Sequence, residues 1–171
     1  ALQTRRSSPA AQAVLKQVTD PQEVLAILET SLIVDTQVIV DIYSRYLFEK
    51  EVFERLAESE FNADELCEIM ENAQKDTYGD GLDDRYLQKW MWPWKPHYYS
   101  AGLAFYNFPY AFGLLFATGL YAIYQKRGPS FVKDYMDLLA STGESSAAAV
   151  AARFGIDIRT RGFWDESLKI V

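Results

Sequence analysis

The strongest constraint on the fold of this chain is a helical signal that starts at Asp20-Pro21 and runs on to about Glu58. Aspartate is a good N-cap, and proline suits the first helical position because its missing N–H would have no partner there. Glu23 follows at the position that completes a capping box. Leu25, Leu28, Leu32, Ile39, Ile42, Tyr46, Phe53 and Leu56 then keep a three-and-four spacing down one side. Val24, Ile27, Val34, Val38 and Val40 carry apolar character around the rest. An all-round apolar first half predicts burial among other helices. At about 1.5 Å per residue the rod reaches roughly 55 Å. That is long for 171 residues and suits a larger helical body.

No strand alternation appears, and the remaining signals are also helical. A short helix is predicted from Pro9 to Val18. Asn62 with Glu65 makes a second capping box, opening a helix to about Tyr78 that Gly79-Asp80-Gly81 ends. A short helix is expected over Leu82 to Lys89. Trp90 to Pro96 reads as irregular, since it holds two prolines. Pro109 opens a helix from Tyr110 to Lys126, and Gly128-Pro129 separates it from another over Ser130 to Ala140. Ser145 or Ser146 caps an alanine-rich helix ending at Gly155, and a last helix spans Phe163 to Ile170. The expectation is an all-α fold: a helical bundle with one long N-terminal helix, a single domain or fragment over residues 1–171. Residues 1–20 carry the least pattern.

The formal charge of −7, without a basic stripe, argues against nucleic acid as a partner. Phe105 to Tyr124 is the longest apolar stretch, but Asn107, Pro109 and its tyrosines do not read as a lipid-spanning run. No charged-then-apolar leader is read in the first residues, and the start at Ala1 fits either a processed end or a cut through a longer protein. Cys67 is the single cysteine, which fits a reducing cytoplasm. It shares a stripe with Leu66, Ile69 and Met70, so a buried thiol is expected. Asp35 and Asp41 interrupt the long apolar stretch; Asp41 is expected to pair with Arg45, one helical turn on.

The residues able to carry chemistry gather in one aromatic segment, His97 to Gly113. It holds the only histidine, followed by Tyr98, Tyr99, Tyr106 and Tyr110. One His and one Cys cannot build a zinc site of nitrogen and sulfur ligands, and no His-Glu-x-x-His occurs. Gly79 and Gly81 lack the lysine and serine of a phosphate loop, and Ser100 lacks the glycines of a nucleophile elbow. Imidazole and phenol groups can donate hydrogen bonds to a developing oxyanion. The other reading of the same tyrosines is a packed core, with hydroxyls bonded to backbone carbonyls.

The run Phe105-Tyr106-Asn107-Phe108-Pro109-Tyr110-Ala111-Phe112-Gly113, with His97 upstream, resembles the C-terminal region of oligoendopeptidase F, a zinc metallopeptidase of the thimet oligopeptidase clan. The similarity extends from about Leu25 through Tyr121-Ala122-Ile123-Tyr124 and Ala151 to Ile158, as far as Phe163-Trp164. The resemblance implies a clam-shaped helical fold with a deep channel, where a His-Glu-x-x-His helix and a later glutamate hold zinc. It also implies that a C-terminal histidine and tyrosines bind the substrate and the tetrahedral oxyanion. Carried over, His97, Tyr106 and Tyr110 become the catalytic donors, with His97, Tyr99 and Tyr106 on the substrate. Phe108 stands where many relatives have a further tyrosine. The zinc motif itself is missing, so the chain looks like a C-terminal fragment, with zinc belonging to the full-length enzyme and none to this chain. The implied partners are short peptides and the rest of the peptidase chain, with self-association of the fragment. The alternatives are a stand-alone helical protein that binds peptides or a partner, and a degenerate paralogue that regulates an active relative.

Overall fold

The computed structural model describes residues 9–58, 60–102 and 106–171. The N-terminal residues 1–8 and Phe105 of the aromatic motif lie outside them. All regular structure among the described residues is helical, as the periodicity predicts. In chain order the helices are α1 (Pro9–Leu15), α2 (Pro21–Thr36), α3 (Tyr43–Leu56), α4 (Ala63–Tyr78), α5 (Met91–Trp94), α6 (Pro96–Tyr99), α7 (Phe108–Arg127), α8 (Phe131–Ala140), α9 (Ala147–Ala152) and α10 (Arg161–Leu168). No helix among them is long and apolar enough to cross a membrane.

The long N-terminal rod forms, but not as one uniform α-helix. A π-helical segment, Gln37–Ile42, joins α2 to α3. A π turn holds more residues than an α turn, so the apolar face upstream does not continue in phase downstream. The buried side of α3 is therefore Ser44, Arg45, Phe48 and Glu49, while Phe53 and Leu56 of the predicted stripe are exposed. The all-round burial expected for α2 is also corrected. Leu25 is 65% exposed, and Leu32, Ile33 and Val34 face solvent as well.

Two local expectations need revision. Leu82 to Lys89 holds only a 3-10 turn, Asp84–Tyr86, because the Asp83 carboxylate takes both the backbone and the guanidinium of Arg85 and holds a turn. The proline-rich stretch is more helical than expected. Pro96 opens α6 and Pro93 sits inside the single turn of α5, positions where a backbone N–H has no intrahelical partner.

The described residues form two compact units, one from those within 34–112 and the other from those within 1–33 and 113–171. In the first, α3 and α4 pack around Phe48, Ile69, Met70, Ala73 and Met91, with Tyr98 and Trp92 against them. The Asn62–Glu65 capping box starts α4 as predicted. Cys67 is buried, and the Trp92 indole donates to its Sγ at 3.4 Å. Gln74, fully buried, ties the following loop down: its amide accepts from the Gln88 N–H at 2.8 Å and donates to the Gln88 carbonyl at 3.1 Å.

In the second unit, Leu120, Phe131, Leu138, Val150, Ala151, Ile156 and Ile158 form the core, flanked by Phe163 and Trp164. Gly119 lets α7 and α10 approach closely. A Cβ there would stand 2.4 Å from the Phe163 ring and 2.5 Å from Ser167 Oγ. Gly119→Ala is therefore expected to destabilise the chain by about 1–3 kcal/mol through overpacking. Gly113, also in α7, has open space around its Cβ position, so Gly113→Ala should gain about 0.5–1 kcal/mol. Urea unfolding of the two variants tests the contrast.

Candidate functional site

His97, Tyr106 and Tyr110 come together in the unit 34–112. His97 lies on α6, Tyr106 just before α7, and Tyr110 in the first turn of α7. Tyr106 is outside the helix, so the two tyrosines do not share a helical face. A turn at Tyr106 and Asn107 brings them together instead, with ring centroids 5.9 Å apart and planes at 90°. The imidazole sits 6.0 Å from the Tyr110 ring and 6.5 Å from the Tyr106 ring. Tyr99, also exposed, packs edge-on against Tyr98 at 6.4 Å.

The hydrogen bond at the centre joins His97 Nε2 and the Tyr110 hydroxyl at 3.2 Å. His97 Nδ1 is buried and has no partner among the described residues. A proton on Nδ1 would bury an unmatched donor, which costs more than an under-used acceptor. The tautomer with its hydrogen at Nε2 avoids that cost and donates to the Tyr110 oxygen. Tyr110 keeps its own O–H free to point elsewhere. Tyr106, 45% exposed, presents a second phenol to solvent. Two adjacent phenols, one of them oriented by an imidazole, can donate to a carbonyl or oxyanion.

Beneath this cluster runs a buried polar seam that sequence reasoning missed. Asn107, 1% exposed, donates from its side-chain amide to Glu49 Oε1; Glu49 is itself 3% exposed. One turn back along the rod, Arg45 pairs with Asp41, as the spacing predicts. Asp41 also accepts from the Tyr78 hydroxyl at 3.1 Å. The Tyr98 hydroxyl, Arg45 Nε and Asn107 Oδ1 are buried without a partner among the described residues. The sequence carried only an ambiguous signal. Asp41, Arg45 and Glu49 recur every four residues, a stripe that reads as a solvated charged face but here turns inward. Beside the seam, Tyr46, Glu49, Lys50, Phe53, Glu54 and Phe108 line a groove of 330 Å³.

Burial pushes the Glu49 carboxyl up from 4.5 to about 7, against the opposing pull of the Asn107 side-chain and backbone N–H groups. Burial, and then the Asp41 charge, push the Tyr78 phenol up to about 12. Burial followed by the Glu49 charge also hold the Tyr98 phenol far above its ordinary value. Lys95 is lowered by burial and by Arg45, and its ammonium lies 3.9 Å from the centroid of the Trp94 ring.

No protein-family model, curated protein or solved structure matches this chain. Among the described residues, no three His, Cys, Asp or Glu side chains gather as a group able to hold a metal. The zinc that the resemblance implies finds no such group among the described residues.

The Glu49 value dictates a pH dependence. Its carboxyl holds a proton in the folded state that the unfolded chain has already released. Stability is therefore full below 4.5 and falls as pH rises through about 7. The loss at full ionisation is on the order of 3 kcal/mol. Glu49→Gln keeps an acceptor for Asn107 and removes the charge, so it should flatten this decline and be the more stable protein at alkaline pH. Urea unfolding across the pH range checks the sign.

Proposed function

We propose that this chain is the C-terminal part of an oligoendopeptidase F-like zinc peptidase, in which His97, Tyr106 and Tyr110 bind a short peptide and stabilise its oxyanion. The observation that carries the reading is the 3.2 Å contact between His97 and Tyr110, with Tyr106 set edge-on beside it. His97 donates to the Tyr110 oxygen and so leaves that hydroxyl free to donate to the peptide carbonyl. The bond strengthens as negative charge builds on the carbonyl oxygen, which lowers the barrier rather than merely tightening binding. Tyr106 supplies a second donor from the exposed side. Phe108, exposed and without a hydroxyl, contributes apolar contact only.

The apolar surface of α2 fits the same reading. Leu25, Leu32, Ile33 and Val34 are exposed along it, and apolar surface of this kind is expected to be covered by the rest of a larger helical peptidase. The zinc would be held by that remainder and would there supply Lewis-acid chemistry.

In the peptidase that contains this region, Tyr110→Phe is expected to lower kcat by about 10²–10³ while leaving KM nearly unchanged. Steady-state kinetics on a short peptide decide it, and an unaltered kcat removes Tyr110 from the mechanism.

A further inference from the structure

We propose that Glu49 and Asn107 are positioning residues for the His97–Tyr110–Tyr106 cluster, with the buried carboxyl of α3 holding in place the turn that sets the two tyrosines against the imidazole. This inference rests on the reading of that cluster as the peptide-binding site.

Asn107 directly follows Tyr106 and stands three residues before Tyr110. Both flanking residues, Tyr106 and Phe108, are exposed, whereas Asn107 is buried. Its side chain reaches Glu49, distant in sequence, so the turn is tied to α3 through one amide. Movement of that amide moves both phenols, since a few backbone bonds separate them from it. A buried amide that loses its partner is costly, which makes the tie a firm one.

Ionised Glu49 can only accept, so it takes the Asn107 N–H groups and leaves Asn107 Oδ1 unmatched. Protonated Glu49 offers an O–H that the amide oxygen can accept. The proton on Glu49 therefore decides whether the amide oxygen gains a donor, while the other carboxyl oxygen goes on accepting from the amide N–H. Burial, which pushes this carboxyl up to about 7, brings that choice close to neutral pH. The other charged and titratable groups around it are Tyr98 from α6, Arg45 and Asp41 from its own rod, and Lys50 and Glu54 at the groove edge. Lys95, coupled to Arg45 and Asp41, lies further along the seam.

The test uses the whole chain, where His97 supplies the only imidazole signal. Ring resonances of His97, Tyr106 and Tyr110 are followed by NMR between about pH 5 and 9, the range in which histidine titrates. In the wild type the tyrosine signals are expected to respond to a second protonation besides that of His97. Glu49→Gln should abolish that second response while keeping the His97–Tyr110 contact. Asn107→Ala should lose the contact while leaving the Phe131 core signals in place. Identical titrations of the wild type and Glu49→Gln overturn the proposal, as does a folded Asn107→Ala with the contact intact. If Asn107→Ala does not fold, the Glu49→Gln comparison decides alone. A short unlabelled peptide is then added to the wild type. Shifts at His97 and the tyrosines support the binding reading. Their absence, with the Glu49 effects present, removes peptide binding and leaves the positioning role standing.

Discussion

The arrangement of the unit 34–112 depends on one costly burial, the carboxyl of Glu49 inside the packing of α3. Removing a carboxylate from water is unfavourable unless hydrogen bonds replace the lost hydration. Among the described residues the amide that meets it belongs to the turn at Asn107, so satisfying Glu49 fixes where that turn lies. The same seam satisfies Asp41 twice, through Arg45 and through the Tyr78 hydroxyl. Polar groups thus join α3 to α4 and to the start of α7, beside the apolar contacts of Phe48, Met70 and Met91.

Building a donor site on such a seam separates two tasks. In the proposed site the buried groups set position, and the half-buried and exposed phenols are the ones that would meet a ligand. Tyr110 stands between them, receiving a hydrogen bond from His97 and keeping its own hydrogen free. A donor held in this way pays less reorganisation when charge develops on a bound carbonyl. The Tyr98 hydroxyl is buried without a partner among the described residues, and its ring packs at 5.2 Å against Phe48.

The unit containing residues 113–171 is built on a different principle. Its core is apolar, and its closest helix contact relies on the missing side chain of Gly119 between α7 and α10. Peripheral ion pairs such as Arg127 with Asp134, at 2.5 Å, are partly exposed and contribute little by themselves. The Trp164 indole, bonded to the Ile158 carbonyl at 2.8 Å, closes the loop between α9 and α10.

Much of this was legible from local chemistry. The capping box at Asn62, the cap at Ser146, the stop at Gly79 and the Asp41–Arg45 pair each depend on residues a few positions apart. The aromatic segment could likewise be singled out, because residue type alone marks imidazole and phenol as donors. The side of α3 that turns inward could not be read. A charged stripe at four-residue spacing looks the same whether it meets water or a buried amide, and the π segment shifts the apolar phase between α2 and α3. Glu49 and Asn107 are far apart in the chain, so only tertiary packing joins them. The sequence by itself determined the helical class and the caps at Asn62 and Ser146, because these follow from short-range backbone and side-chain chemistry. The tertiary structure alone decided that Tyr106 and Tyr110 meet His97 around a turn outside the helix, since that depends on the burial of a carboxyl many residues away.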